Sequence, residues 1–147
     1  MAFRHILVPT DGSPRSRRAI QTAVKLAKPC GARLTALYVV PEGVPTAFSG
    51  DKLYASPALA PKYRAAIRAA ADAALGVAQR EARAAGVQCT SARALSPAPW
   101  KSIVNTAHAR GCDLVVMGTH GKHGLGVLGS QTMKVIAHTR IPVLVRR

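Results

Sequence analysis

Short apolar runs alternate with longer amphipathic segments along this chain. The runs Ile6 to Val8, Leu34 to Val40 and Leu114 to Met117 are largely apolar, as expected of strands buried on both faces of a parallel sheet. Val87 to Ala92 alternates between apolar and polar residues, and Ile141 to Val145 forms a last apolar run. The pattern therefore predicts five strands.

Helical patterns occupy the segments between these strands. The first helix is predicted to begin with Ser13 as its N-cap and Pro14 at its first position, and the segment Pro29 to Gly31 ends it. Apolar residues at helical spacing give this helix a buried stripe, which consists of Ala19, Ile20, Ala23, Val24 and Ala27.

Three further helices are predicted. An Ala-rich helix runs from about Lys62 to Ala85, before Gly86, and the last helix runs from about Ser130 to Thr139. The turn Ser96 to Pro99 precedes a short helix that stops at Gly111 and whose inner face is Trp100, Ile103, Val104 and Ala107. The segment Pro41 to Pro61 has no clear periodicity, so it is predicted to be a long irregular connection.

Strands that alternate with helices indicate an α/β protein. The order predicts an open, doubly wound sheet of about five parallel strands and four helices, joined by right-handed crossovers. At 147 residues the chain has the usual length of one domain, so a single domain over residues 1–147 is expected.

Several classes of protein are disfavoured by composition. The apolar run before Pro9 is too short for a signal peptide, and no stretch approaches the roughly 20 apolar residues that span a bilayer. Cys30, Cys89 and Cys112 are odd in number and widely spaced, which argues against a disulfide framework or a zinc site. A cytoplasmic protein without membrane contact is expected.

The formal charge of +15 attracts nucleic acids, acidic membranes and phosphorylated ligands without choosing among them. The basic residues are scattered from Arg4 to Arg147 with no run longer than two, and six aromatic residues are available to stack on bases. A nucleic-acid-binding protein therefore remains an alternative that is not favoured, and a steep salt dependence of binding would identify it.

Two loops have the composition of a ligand site at the carboxyl ends of the strands. The first is Pro9 to Ser13, in which Asp11 follows a buried strand directly. Its carboxylate could accept hydrogen bonds from ribose hydroxyls or hold Mg²⁺ through water. That Asp11 merely caps the first helix is the competing, less favoured interpretation.

The second loop runs from Gly118 to Thr132 and carries five glycines in its first twelve residues. Glycines let a backbone approach phosphate closely, and the hydroxyls of Ser130 and Thr132 lie at the positive end of the next helix. For any one of these residues, a simple N-cap or a flexible turn is a competing interpretation. The constellation as a whole favours phosphate binding.

Familiar catalytic motifs are absent or weak. The loop lacks Gly-Lys-Ser/Thr, so it is not a Walker A motif, and Gly124 to Gly129 matches Gly-x-Gly-x-x-Gly too far beyond its strand for a dinucleotide site. Asp11 has no second acid beside it in sequence, so a fast ATPase is not expected. An enzyme acting on phosphoryl or adenylyl groups would need His120 or His123 at the phosphates, and whether the chain is an enzyme stays open.

The chain resembles the universal stress protein family. The resemblance rests on three segments: Ile-Leu-Val-Pro-Thr-Asp-Gly-Ser at the start, Val-Val-Met-Gly-Thr-His-Gly in the middle, and Gly-Ser followed by Pro-Val-Leu-Val at the end. It covers nearly the whole chain, and it implies a Rossmann-like fold similar to that of the adenine nucleotide alpha hydrolases.

The nucleotide-binding branch of this family supplies site residues by resemblance. Its motif Gly-x-x-Gly, nine residues and Gly-Ser falls on Gly118, Gly121, Gly129 and Ser130, with Gln131 and Thr132 continuing the site. Pro9, Thr10 and Asp11 are implied around the ribose and adenine, with Val39 and Met117 as apolar walls. Between Gly121 and Gly129 this chain has seven residues rather than nine, which weakens the expectation of triphosphate binding more than that of nucleoside binding.

The resemblance implies a regulatory or adaptor protein of the stress response that binds ATP or another adenine nucleotide with Mg²⁺, which Asp11 holds through water. Slow hydrolysis or group transfer remains the alternative. Protein partners are implied, as is a homodimer through the strand Ile141 to Val145, whose apolar residues Ile141, Val143 and Val145 suit an edge that pairs. A covered edge in a monomer is the competing interpretation.

Overall fold

The computed structural model describes residues 3–41, 60–119 and 128–147. Within these ranges it contains five strands: β1 (His5–Pro9), β2 (Arg33–Pro41), β3 (Cys89–Ser96), β4 (Leu114–Gly118) and β5 (Val143–Arg146). The described helices are α1 (Pro14–Cys30), α2 (Ala60–Ala84), α3 (Pro99–Ala109) and α4 (Ser130–His138). The predicted alternation of strands and helices is confirmed.

All five strands are parallel and form one sheet in the order β3-β2-β1-β4-β5. The chain first builds outward from β1 to β2 and β3, and then returns to the other side of β1 for β4 and β5. The strand order thus reverses between β1 and β4. The open, doubly wound sheet expected from the sequence is the one observed.

Helices cover both faces of the sheet. Ile6 and Val8 on β1 pack with α1 and α2, whereas Leu7 between them packs with α3 and α4. This division follows from the two-residue period of a strand. All three side chains are fully buried, which explains why β1 contains no polar residue between His5 and Pro9.

The ends of α1 are those predicted from its sequence. The Ser13 hydroxyl accepts a hydrogen bond from the Ser16 N–H at 3.2 Å, and Pro14 occupies the first turn. Gly31 ends the helix at φ +65°, while the Gly31 and Ala32 N–H groups bond back to Lys28 and Ala27. This is a Schellman motif, and the predicted buried stripe is also observed.

The third strand and the connection before α2 differ in extent from the prediction. Val87 was assigned to a strand, but its N–H bonds to the Ala82 carbonyl at 2.8 Å in the Schellman motif of α2, so β3 begins at Cys89. Pairing with β2 extends β3 to Ser96, beyond the end predicted from the alternation of apolar and polar residues. The connection predicted up to Pro61 ends earlier because α2 begins at Ala60, and its residues 42–59 lie outside the described ranges.

The last strand is also shorter than predicted. Ile141 was placed within it, but the Ile141 N–H bonds to the Thr139 hydroxyl at 3.1 Å, and the next residue is Pro142, which has no N–H to donate. The Pro142 carbonyl accepts from the Val115 N–H at 2.9 Å, and β5 begins at Val143.

A buried histidine connects the amino ends of β1 and β2 to the end of α3. His5 is 6% exposed, its Nδ1 lies 3.0 Å from the Arg110 carbonyl, and its Nε2 lies 2.7 Å from the Thr35 hydroxyl. The carbonyl can only accept, so Nδ1 carries the proton of the neutral ring and Nε2 accepts from Thr35. Burial, followed by the charge of Arg33, lowers the pKa of His5 below its ordinary value.

We expect this histidine to make the fold acid-sensitive. Its folded pKa lies below the ordinary 6.5, so the unfolded chain binds the proton first, and the His5 contribution to stability is lost as pH falls from 6.5 through the folded pKa. His5→Gln should flatten this part of the curve of unfolding free energy against pH, measured by urea denaturation. His108→Gln, on the exposed side of α3, is the control and should retain the slope; an equal slope in both variants would contradict the assignment.

The three cysteines are free thiols, and Cys112 is buried. Burial raises the pKa of Cys112 to about 11. Burial also raises the pKa of Cys89.

Over the described ranges, no helix is both long and apolar enough to cross a membrane.

Candidate functional site

The reversal of strand order places a crevice at the carboxyl ends of β1 and β4. These strands pair at Ile6 with Leu114 and at Leu7 with Val115, whereas β1 continues to Pro9 and β4 to Gly118. The two strands thus run past their shared ladder before their loops begin. Open parallel sheets bind ligands at such a point.

The loop after β1 is held in place by buried hydroxyls. The Thr10 hydroxyl accepts from the Gly12 N–H at 3.2 Å and lies 3.0 Å from the Ser16 hydroxyl. Gly12 has φ +82°, a conformation that strongly favours glycine. The loop therefore turns sharply into α1.

Asp11 lies beside the start of α1, but the N-cap of this helix is Ser13, so the expectation that Asp11 caps it is wrong. Its Oδ1 accepts from the Ser13 N–H at 2.9 Å, which fixes the carboxylate beside the start of α1. The side chain remains half-exposed. This bond engages one carboxylate oxygen and leaves Oδ2 as a second acceptor, so the turn is compatible with ligand binding.

Ser16 is a participant that sequence reasoning missed. Its hydroxyl donates to the Ser13 carbonyl at 2.9 Å, so the nearby Thr10 hydroxyl must donate to Ser16. The available signal was the spacing Ser13-x-x-Ser16, which resembles a capping box with serine at its last position. This chain of hydroxyls connects the end of β1 to the first turn of α1.

The second loop is closed by two hydrogen bonds between its ends. The Gly129 N–H donates to the Thr119 carbonyl at 2.5 Å, and the buried Thr132 hydroxyl donates to the Gly118 carbonyl at 3.0 Å. The last residue of β4 is thereby connected directly to the first turn of α4. Gly121, His120, Lys122 and His123, to which the sequence assigned functions, lie outside the described residues.

The end of β4 meets the first turn of α1 at Gly118. A Cβ added there would lie 3.4 Å from both the Cβ and the carbonyl oxygen of Arg15, at the limit between a tight and an ordinary contact. Gly118 therefore leaves room for the close approach of these two elements.

The proposed apolar walls share one face of the sheet. Met117 is buried in the core beneath α3 and α4, and the half-buried Val39 packs against the same cluster. Pro9 is the half-buried last residue of β1. Gln131 has a structural contact: its Oε1 accepts from the Trp100 N–H at 3.0 Å and so caps α3.

The edge of the sheet at these loops is electropositive. The first turns of α1 and α4 contain no acidic residue, and α1 begins with Arg15, Arg17 and Arg18. Helix amino termini add partial positive charge. The charge of Asp11 contributes, after burial, to the raised pKa of Tyr38, which places the carboxylate within reach of the neighbouring β2.

The start of α4 offers main-chain donors. The first hydrogen bond within this helix joins the Met133 N–H to the Gly129 carbonyl at 3.0 Å. The N–H groups of Ser130, Gln131 and Thr132 precede it and have no intrahelical acceptor. Three donors at a helix amino terminus are the usual arrangement for binding phosphate.

A cavity of about 460 Å³ lies between the first loop and the helices α1 and α2. Asp11, Ser13 and Arg17 line it together with apolar residues of α1 and α2, among them Ile20 and Ala74. Ile20 and Ala74 belong to the core beneath α1 and α2, not to that of Met117. The cavity is therefore distinct from the predicted adenine pocket, with which it shares Thr10 and Asp11.

Fold and site together define an open α/β protein with a loop closed by hydrogen bonds at its topological switch point. The model of the universal stress protein family matches residues 2–147, and the chain belongs to that family. Universal stress protein YxiE of Bacillus subtilis is 34% identical, covering 99% of each chain.

Solved structures of this family share the fold. UspA of Lactobacillus plantarum superposes with a TM-score of 0.79 at 27% identity, covering 100% of this chain and 99% of that one. A universal stress protein in complex with cAMP superposes with a TM-score of 0.69 at 27% identity, covering 100% of this chain and 98% of that one. The resemblance noted in the sequence is confirmed.

We expect the Thr132 hydroxyl to stabilise the closed loop. Thr132→Val keeps the shape but removes the donor to the Gly118 carbonyl, which should lower the unfolding free energy by about 1–2 kcal/mol. Thr132→Ser keeps the hydroxyl and is the matched control. Equilibrium denaturation measures both variants, and a valine variant as stable as the serine variant would show that the bond contributes nothing.

Proposed function

We propose that this protein binds an adenine nucleotide between the loops that follow β1 and β4 and acts as a regulatory or adaptor protein in a stress response. The observation that carries the proposal is the closed second loop, whose ends set three main-chain donors of α4 beside the end of β4. A relative of the same fold was solved with cAMP, which adds support.

Each side of the proposed site has its own role. Pro9, Thr10 and Asp11 border the nucleoside, with the carboxylate of Asp11 accepting from ribose hydroxyls. Val39 and Met117 supply apolar contact for the adenine. Gly118, Gly121 and the segment Gly129 to Thr132 bind the phosphates, mainly through backbone N–H groups, because the Thr132 hydroxyl already donates to Gly118.

Mg²⁺ fits this site as a companion of the nucleotide. Among the described residues no group of three or more His, Cys, Asp or Glu side chains could hold a metal ion. Mg²⁺ commonly binds through one carboxylate, water and substrate phosphates. Asp11 is suited to such an indirect contact, since the Ser13 N–H engages Oδ1 and leaves Oδ2 as a second acceptor.

We expect saturable binding of one nucleotide per subunit in calorimetric titration at about 0.15 M salt, where non-specific charge binding is suppressed. Because the second loop is short, AMP should bind within about tenfold of ATP. Asp11→Asn should weaken both ligands at least about tenfold by removing a charged acceptor for ribose hydroxyls.

Asp72→Asn is the matched control, since it removes the same charge from an exposed site on α2. It should bind nucleotide as the unmodified protein does. Equal losses in the two variants would attribute the effect to net charge, and the absence of measurable heat with any adenine nucleotide would refute the proposal.

We also propose a homodimer through β5. This strand is one edge of the sheet, and its residues Val143, Leu144 and Val145 are half-exposed. An apolar edge strand is prone to pair with another strand. A second copy related by a two-fold axis would pair β5 with β5 in antiparallel fashion.

Val145→Lys should shift the protein to monomer, because edge lysines oppose strand pairing. Sedimentation velocity over a range of concentrations measures the change. Leu95→Lys places the same substitution on β3, the other edge, where Leu95 is 65% exposed, and it should leave the dimer intact. A monomeric unmodified protein would contradict the proposal.

A further inference from the structure

The positive charge is concentrated on one of the two helical layers. The helices α1 and α2 together carry ten Lys and Arg residues and two acids, a formal net charge of +8. The helices α3 and α4 carry two Lys residues and no acid, a net charge of +2. The scattered distribution in the sequence is therefore a strongly one-sided distribution in the fold.

All ten bases of the α1–α2 layer are exposed: Arg15, Arg17, Arg18, Lys25, Lys28, Lys62, Arg64, Arg68, Arg80 and Arg83. Acids neutralise little of this charge. In the described part of the chain two ion pairs are recorded, Arg17 with Glu81 at 3.3 Å and Arg93 of β3 with Asp72. Nine of the ten bases thus have no recorded ion pair, and both acids of the layer are already engaged.

The periodicity of each helix places several of these bases on its outermost side. Arg18 and Lys25 are seven residues apart, so they lie on one side of α1, opposite the buried Ala23 and Ala27. Lys62 and Arg80 are eighteen residues apart, which is five turns, and so share one side of α2. The two helices are in contact, as the Arg17–Glu81 pair shows.

Exposed apolar anchors are located elsewhere. Among the described residues, the large hydrophobic side chains that remain exposed are Leu95 on β3 and Met133 and Ile136 on α4. A membrane-binding surface combines basic residues with apolar side chains that enter the lipid. The α1–α2 layer has the charge without these anchors, which favours a hydrated polyanion.

The chemistry of the layer also selects among nucleic acids. Its one aromatic residue is the half-buried Tyr63, so the stacking platforms typical of single-strand binding are not provided by these helices. An exposed helix with basic residues along its outer side can enter the wide major groove of B-form DNA, whereas the major groove of duplex RNA is too narrow.

We propose that the α1–α2 layer binds the phosphate backbone of double-stranded DNA without sequence preference. The contacts are made by the outward bases Arg18, Lys25, Lys62 and Arg80. This surface lies apart from Val39 and Met117, on the opposite face of the sheet. It is therefore a second ligand surface, whose existence does not depend on nucleotide binding.

The test is fluorescence anisotropy with a labelled mixed-sequence DNA duplex at several salt concentrations. The unmodified protein should bind at about 0.05 M salt and lose affinity steeply as salt rises. The triple variant Lys25→Gln, Lys62→Gln and Arg80→Gln should bind at least about tenfold more weakly and show a log–log salt slope shallower by about 2–3, as expected for the loss of three phosphate contacts.

The matched control is Lys101→Gln, Lys134→Gln and Arg140→Gln, which removes the same charge from exposed positions on α3, on α4 and just after α4. It should lose less than about threefold in affinity and keep nearly the full salt slope. All six positions are exposed, so both variants should fold as the unmodified protein does. Thermal melting of each variant checks this.

Three results would overturn the proposal. Equal losses in the two triple variants would mean that net charge, and not this layer, attracts DNA. Binding to an RNA duplex, to single-stranded DNA or to phosphatidylserine vesicles as tightly as to the DNA duplex would contradict the assignment of double-stranded DNA as the ligand. No binding at about 0.05 M salt would exclude the surface altogether.

Discussion

The structure depends on the complete burial of β1. Ile6, Leu7 and Val8 have no exposed surface, because β2 and β4 pair with the two edges of the strand and helices cover its two faces. A strand enclosed in this way must end in a loop at the centre of the sheet. Because β2 and β4 lie on opposite sides of β1, the crevice between their loops lies beside Pro9, the last residue of β1. The start of α1 and the end of β4 lie there as well. The position of the candidate site thus follows from the position of β1.

Sequence reasoning predicted the elements whose signals are local. Ser13, Pro14 and Gly31 act on their nearest neighbours, so the ends of α1 were predictable from them. Val87 and Ile141 were misassigned because a helix cap and a proline, rather than side-chain alternation, determine how their backbone N–H groups bond. The extension of β3 to Ser96 depends on the length of β2 beside it, which alternation within β3 alone does not reveal.

The candidate site was predictable in its location but not in its internal hydrogen bonds. Glycines and hydroxyls after a buried strand indicated a phosphate loop, and the fold brings Gly118 and the start of α4 together. Sequence could not show that the Thr132 hydroxyl donates to Gly118 or that Gln131 caps α3, because each contact joins residues from different elements. These side chains position the loop, and the main-chain N–H groups of α4 remain as its donors.

Charge and site are related through the same helix. The start of α1 carries three arginines and no acid, which opposes its dipole and destabilises the empty protein. An anion bound near Gly118, which lies beside Arg15, would be attracted by these arginines and by the helix dipole, so nucleotide phosphates there would stabilise the fold as well as bind to it. The outward bases of α1 and α2 attract a polyanion over longer distances. At physiological ionic strength salt screens this attraction beyond about 8 Å. Nucleotide binding should consequently be less sensitive to salt than attraction to a polyanion.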